Sequence, residues 1–438
     1  MKMKYRSLVP LALAVLMFVS IYSLVNGAMT QQKEVNDLLS KAKTCTEQGL
    51  YDKAASYYND VIAKDDNVKH YLAVTDMYYT AEQYEASYTW AEKTLNAFPK
   101  EANAYDRMIK VCLKKDSISE AYETLAKFDG RKLKSDAVEK HRSDMEYLYW
   151  IDSISFDDVR QYSSNYVAFQ NKEKWGLATT KGSSKVKAKF KDVGYFANEM
   201  VAVLDDKDVW YFMNVDGEYV YNISDSVGGK ITEVGLYNND LFPVCTDGKY
   251  NYYDIKFKKK LEGYDYAGSF SGGVAAVKKG DQWEVINSKG ENITGKKYLD
   301  VVLDERGVCC QKDRIFVKIA DYEYIMINSA GEQIGKETFE GAKLFANGEY
   351  AAIMRNDLWG FVDINGKTFV EPKYEGANSY SLGLAAVSEN GLWGYIDTKG
   401  NVIVEMKYKE CLNFATTGNA YAKGELYWDV VKLYKYNY

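Results

Sequence analysis

Histidine is almost missing from this chain: His70 and His141 are the only two in 438 residues. A Ser-His-Asp arrangement or a multi-histidine metal centre has almost nothing to be built from. Proline is nearly as scarce, at 4, which suits a chain of short regular elements because proline removes a backbone donor. Blocks of about five or more like charges are also lacking. With 56 Lys and Arg against 62 Asp and Glu, the formal charge is −6. No phosphate-tracking basic stripe exists, and no nucleic-acid partner is expected.

The six cysteines, Cys45, Cys112, Cys245, Cys309, Cys310 and Cys411, contain no Cys-x-x-Cys pair. That spacing favours neither a zinc site nor a disulfide scaffold, and the cysteines read as small apolar core residues. No metal, cofactor or catalytic residue is expected. What is plentiful is tyrosine, at 39, in a chain that is 47% hydrophobic and 27% charged. Such a balance excludes a disordered chain, and the length allows two or three domains.

Residues 1–28 hold Lys2, Lys4 and Arg6, followed by a charge-free run from Ser7 to Met29 with an apolar core from Leu8 to Val25. That core is longer than the apolar part of most cleavable signal peptides and long enough to span a bilayer. A signal anchor is expected, with a cleaved signal peptide as the alternative. In both cases the cations stay cytoplasmic and the bulk of the chain is exported. The expected location is a single-pass membrane protein facing outward, or else a secreted one.

From 29 to 150 apolar and small residues recur at helical spacing. Helix starts are predicted at Tyr51, Tyr84 and Ile118; Ala54, Ser87 and Ala121 follow three residues later, then Tyr58, Ala91 and Leu125. Small residues at a helix crossing allow close approach, and larger ones fill the gap to the next pair. Gly49-Leu50-Tyr51-Asp52-Lys53-Ala54 resembles the inter-helix turn of the tetratricopeptide repeat, and Pro99 closes the second unit. A last helix, roughly Ser135 to Trp150, is expected to cap the array. The resemblance implies a peptide groove along the first helix of each pair. Its positions here are Asn36 and Lys43, then Lys69, Asp76 and Tyr79, then Asn103, Asp106, Lys110 and Lys114. Their charges are mixed, so a plain spacer whose groove is only solvated stays open beside it.

From 151 to 438 the period becomes 2, as in Val201-Ala202-Val203. An aromatic recurs at Trp175, Trp210, Tyr250, Trp283, Tyr324, Trp359, Trp393 and Tyr427, at steps of 35, 40, 33, 41, 35, 34 and 34. Seven residues later, Gly182, Gly217, Gly290, Gly331, Gly366 and Gly400 mark hairpin turns; Phe257 and Tyr434 replace them in units three and eight. Lys174-Trp175-Gly176, Leu358-Trp359-Gly360 and Leu392-Trp393-Gly394 resemble the WG-repeat (KWG) family, found in many bacterial exported proteins.

A second marker, such as Phe156-Asp157-Asp158-Val159 or Tyr374-Glu375-Gly376-Ala377, also occurs eight times, beginning before the first hairpin. Eight hairpins and eight markers match only if the two ends of this region share one unit, which is how a β-propeller ring is fastened. The predicted fold is therefore α then all-β: a tetratricopeptide-like helical array, then a propeller-like ring of about eight units. An open β-solenoid is the alternative. The repeat aromatics are expected to be structural.

Several motifs invite chemistry that their context denies. Gly290–Lys297 looks like a phosphate-binding loop but lacks the closing Ser or Thr and sits on a hairpin. Gly268–Gly272 misplaces its serines for a nucleophile elbow. Acidic turns such as Asn214–Gly217 have too few spaced carboxylates for calcium and suit ordinary hairpins. The expected function is a non-enzymatic, exported, membrane-tethered scaffold that binds proteins or peptides. A cell-envelope carbohydrate binder is the alternative, and a propeller glycosidase using distant Asp/Glu pairs a remoter one.

Overall fold

The computed structural model describes residues 8–437, with side chains from residue 13. Lys2, Lys4 and Arg6 lie outside the described residues. The chain divides into two compact units, with the boundary between Glu146 and Tyr147.

The first unit contains seven helices among the described residues: α1 (Leu8–Glu47), α2 (Tyr51–Ile62), α3 (Val68–Thr80), α4 (Tyr84–Ala97), α5 (Ala102–Lys114), α6 (Ile118–Gly130) and α7 (Asp136–Asp144). Helices α2, α4 and α6 start at Tyr51, Tyr84 and Ile118, where the sequence period puts them. Ala54, Ala91 and Ala121 are completely buried, so paired helices approach without a side chain between them. Ser87 is buried too, and its hydroxyl donates to the Thr75 carbonyl at 2.9 Å, tying α4 to α3. Tyr71 fills the next layer, edge-on to Trp90 and Phe98.

Two boundaries differ from the sequence expectation. No break separates residues 28 and 29, because α1 continues from the apolar run into the array. The final helix stops at Asp144 rather than Trp150, and Tyr149–Ser153 is a strand. It pairs antiparallel with Trp428–Leu433, from Tyr149 opposite Leu433 to Ser153 opposite Asp429. Helix propensity yields there to a ladder that the other end of the unit leaves open.

The second unit consists of eight antiparallel sheets, here called blades. Blade 1 illustrates the plan: a two-residue inner strand Asp158–Val159, then Tyr166–Asn171, Lys174–Thr179 and an outer strand Ser184–Phe190. The inner strands of blades 2 to 8 begin at Asp192, Ile231, Tyr266, Asp300, Gly341, Gly376 and Glu410. Blade 4 has three strands; its fourth position, after Asn287, makes only isolated bridges such as Trp283 to Tyr298. In blade 8 the outer strand is Tyr149–Ser153, so both ends of the unit lie in one sheet. Blades 8 and 1 then share a core of Leu412, Tyr421, Trp428 and Val430 against Phe156, Val167 and Phe169. The Tyr421 hydroxyl donates to the Thr179 carbonyl at 2.8 Å across that junction. The ring is closed, and the open solenoid is excluded.

The Trp-Gly pair has a steric origin. Trp175 is paired with Phe190 and Leu177 with Val186, so three outer-strand residues bulge opposite Gly176 alone. A Cβ at Gly176 would lie 2.5 Å from the Val186 carbonyl oxygen; at Gly360 and Gly394 the equivalent distances are 2.4 Å from Val370 and Val404. Blade 5 carries Ile325 instead, and there four residues, 335–338, separate the paired Ile334 and Phe339. The wider bulge makes room for the side chain.

The register also corrects one repeat position. The inner-strand partner in each blade pairs onward to the aromatic: Gln170 with Trp175, Ser388 with Trp393, and in blade 8 Lys423 with Trp428. The repeat aromatic of blade 8 is therefore Trp428, fully buried, and not Tyr427, which is 51% exposed. The two are adjacent aromatics, and a strand points neighbours to opposite faces.

Two measurements check these packing arguments. Gly360→Ala should lower the ring's stability by about 1–3 kcal/mol in denaturant unfolding, as overpacking does. Gly130→Ala in α6, with nothing within 4 Å of its Cβ, should cost nothing. Trp428→Ala should cost about 3–5 kcal/mol by cavity formation, whereas Tyr427→Ala should stay within about 0.5 kcal/mol of the parent.

Candidate functional site in the central channel

Each blade-to-blade crossing delivers its inner strand to the middle of the ring, and the residues just after those strands face one another there. Blade 5 breaks the pattern. Tyr298 and Ile315 are 17 positions apart, whereas the equivalent Tyr264 and Val274 of blade 4 are 10 apart. The extra residues form a turn in which Asp304 accepts from the backbone N–H groups of Arg306 and Val308. Its other oxygen takes two hydrogen bonds from the Arg306 guanidinium, at 2.9 and 2.6 Å. The turn is thus braced by its own charges.

Glu305, at the tip, crosses to the far side of the channel. One carboxylate oxygen accepts from the Tyr195 hydroxyl of blade 2 at 2.9 Å and from the Gln161 N–H of blade 1 at 3.3 Å. Burial, followed by the charge of Glu305, pushes the Tyr195 phenol well above its usual range, so it stays a donor. The turn divides the channel into two cavities. The larger, about 530 Å³, is bounded by blades 5, 6, 7, 8 and 1; the smaller, about 290 Å³, by blades 1 to 5. The first lies within the usual range for small-molecule sites.

The larger cavity mixes polar and apolar walls. Lys343 of blade 6 donates to the Asn378 amide oxygen at 2.7 Å, and Asn378 donates onward to the Cys411 carbonyl at 2.8 Å. Burial pulls the Lys343 ammonium below its usual range and pushes the Glu410 carboxyl above its own. Trp393 and Tyr162 supply flat apolar surface. Of these residues, sequence reading singled out Trp393, as a structural aromatic, and Cys411, as a core residue. The long step of 41 between Trp283 and Tyr324 was the visible trace of the channel turn. The step of 40 before Tyr250 has a different cause, the short helix α8 (Ile223–Val227).

The repeat aromatics Trp175, Trp210, Tyr250, Trp283, Tyr324 and Trp359 sit at one register position and pack against their own inner strands. Arg160 lies 4.2 Å from the Trp175 ring centroid, Lys343 5.3 Å from Trp359, and Tyr266 5.4 Å from Trp283. In unit three, Phe257 takes the glycine's place at a positive φ of 58° and packs against Tyr221 and Phe242. The six cysteines are all buried and unbridged.

The positions assigned to a helical groove separate into two groups. Asp76 holds Arg107 through two hydrogen bonds, at 3.2 and 3.1 Å; Arg107 also donates to Asp106 at 2.7 Å, and Asp106 bonds His141 at 2.9 Å. Lys110 lies 4.1 Å from the Tyr79 ring centroid beside them. This chain links α3, α5 and α7; the sequence pattern missed Arg107, which falls between its groove positions, and His141, which lies on α7 beyond them. The others are dispersed: Asn36 accepts from Gln32, Lys43 approaches Glu47, Lys69 approaches Asp65, Asn103 donates to Glu101, and Lys114 is exposed at the end of α5.

Asp106 makes the helical unit acid-sensitive. Its hydrogen bond to His141, then the Arg107 charge, hold its carboxyl below the usual range against the cost of burial. Its contribution is complete above the unfolded value, about 3.9, and is lost as pH falls through the lower folded value. Asp106→Asn should therefore destabilise the helices at pH 6, by about 1–3 kcal/mol in thermal melts followed at 222 nm. The gap to the parent should narrow progressively as the pH falls below the unfolded value of about 3.9.

The family described as WG containing repeat matches residues 252–283, 359–393 and 393–423. No curated protein sequence matches the chain. Among solved structures, BamB from Moraxella catarrhalis aligns over 65% of this chain and 98% of its own, at 9% identity and a TM-score of 0.41. The C-terminal WD40 domain of Sif2 gives the same coverages, 8% identity and a TM-score of 0.42. The computationally designed Ika8 protein covers 64% of this chain and 98% of its own, at 11% identity and 0.43. The Sgt2 TPR domain from Aspergillus fumigatus covers 25% of this chain and 76% of its own, at 20% identity and 0.22. Scores this low carry no weight against the strand pairing itself. On the pairing, the C-terminal unit of this chain is an eight-bladed β-propeller, and residues 252–283 and 359–423 within it match the WG containing repeat.

Proposed function

We propose that the chain is a non-enzymatic scaffold, exported and held at the membrane by α1, that presents its helical array and its ring to protein partners. The carrying observation is the division of α1 itself. Val35, Ala42 and Cys45 are buried, whereas Leu13, Leu16, Phe18, Ile21, Leu24 and Val25 are each at least half exposed. Exposing so many large apolar groups in water is costly, and the stretch is long and apolar enough to cross a membrane. Because α1 is one helix, the apolar segment runs without interruption into the array.

Repeat units offer extended surfaces whose loops vary independently of the packing that holds them. The two carboxylates of the channel turn support a reading without chemistry: Asp304 is neutralised by Arg306, and Glu305 is occupied by Tyr195 and Gln161.

Alkaline carbonate washing of membranes from cells making the full chain should leave it in the pellet. A 29–438 variant should be released. Protease added outside intact cells or spheroplasts should digest the ring. Recovery of the full chain in the soluble cytoplasmic fraction, protected from protease, would refute the proposal.

A further inference from the structure

The eight blades provide an internal control for the charges around the channel. The third position of each inner segment is fixed by one backbone bond to the neighbouring strand: Arg160 N–H to the Ala168 carbonyl in blade 1, Lys343 to Ala352 in blade 6, and Asn378 to Ala386 in blade 7. The first position is fixed by pairing: Asp192 with Leu204 in blade 2, Gly376 with Ser388 in blade 7, and Glu410 with Lys423 in blade 8. In blades 1 and 2 the arrangement is complete. Arg160 lies over Trp175 and reaches across the blade junction to Asp192 at 2.8 Å.

Blades 6, 7 and 8 hold the same arrangement with its middle removed. Lys343 lies over Trp359 as Arg160 lies over Trp175, but the position of Asp192 is occupied by Gly376. A Cβ there would be 2.7 Å from the Trp393 ring, so the indole occupies the space of the missing acid. Glu410 holds the place of Asp192 in blade 8, where Asn378 replaces Arg160 across the junction and Lys423 is the cross-strand neighbour. A half-buried cation and an exposed carboxylate therefore stand two blades apart in the wall of one cavity, and neither makes an ion pair among the described residues. Asn413, three residues beyond Glu410 in the same wall, has a buried Oδ1 with no hydrogen-bond partner.

Lys343 has only the neutral Asn378 amide as partner, Glu410 opens onto the same space, and a buried carbonyl oxygen that accepts nothing is costly. All three face about 530 Å³ of space beside the flat faces of Trp393 and Tyr162. We propose that this cavity is a binding site for a small zwitterion carrying an α-amino-acid head, with its carboxylate on Lys343 and its ammonium on Glu410 and Asn413 Oδ1. The ligand supplies the counter-charges that the repeat provides in blades 1 and 2. The cavity accommodates a free amino acid or a dipeptide with open termini, and both share this chemistry. The proposal is independent of the membrane tether.

The test is calorimetry and thermal shift on the full chain in detergent, with the twenty L-amino acids and Ala-Ala as separate probes. At least one should bind with a Kd below about 1 mM and raise the melting temperature. Binding by single amino acids identifies the free head as the source, and binding by Ala-Ala alone identifies a peptide. The N-acetyl and amide forms of the same compound should bind at least tenfold more weakly, each having lost one charge. Lys343→Gln and Glu410→Gln should each weaken binding by about 30-fold while keeping the parent circular dichroism. The proposal is overturned if none of these probes binds at about 10 mM. It is equally overturned if the blocked forms bind as well, or if both folded variants bind unchanged. Retention of a neutral disaccharide in place of every zwitterion would assign the cavity to carbohydrate and sink the proposal.

Discussion

The second unit depends on one ladder, the five pairs between Tyr149–Ser153 and Trp428–Leu433. A blade buries each face against a neighbour, so a row of eight has two raw faces unless it closes. Closing it brings the Phe156 and Phe169 layer of blade 1 onto Trp428 and Val430 of blade 8. Everything in the channel follows from that junction. The Gln161 N–H that Glu305 reaches belongs to blade 1, and the Gln161 side chain accepts from the Asn413 N–H of blade 8 at 3.1 Å. Without the ladder the channel turn of blade 5 would have no opposite wall.

Within each blade the controlling constraint is the space behind the repeat aromatic. An outer strand that bulges toward Gly176 or Gly360 gives extra twist, which is what bulges do. Where the glycine is lost, the structure adapts locally rather than abandoning the plan. Blade 5 lengthens its bulge around Ile325, and blade 4 gives up a regular outer strand. These are two solutions to one steric problem, and they explain why the Tyr-bearing and Glu-bearing repeats look degenerate in sequence.

The repeat count, the closure and the helix starts at Tyr51, Tyr84 and Ile118 were legible because each is set by spacing, and spacing survives in a linear string. Matching numbers of hairpins and markers sufficed to infer that the ends meet. The shift from Tyr427 to Trp428 arose where two aromatics are adjacent and only the ladder says which one points inward. The channel turn was visible as a long step but without direction, since length alone does not say whether an insertion lies at the rim or at the axis. Lys343 and Asn413 carried no signal, and Glu410 only that of a repeat marker. Lys343 stands two repeats before the other two, and only the ring puts all three around one cavity. Arg107 and His141 escaped notice for a related reason, because ion pairs across helices follow the crossing geometry and not the period.

The closing ladder also has a consequence for how the chain is made. Tyr149 and Leu433 are partners across nearly the whole of the unit, so the first strand to leave the ribosome must wait for the last. Until Trp428–Leu433 has been synthesised, and translocated if the chain is exported, blades 1 to 7 have no completed circle and keep an uncovered face at each end. A chain cut short before that strand presents those faces continuously, as incompletely folded chains present apolar surface and unpaired edges to the machinery that removes them. Completion of the ring thus turns on a single late event, the pairing of Trp428–Leu433 with the waiting Tyr149–Ser153.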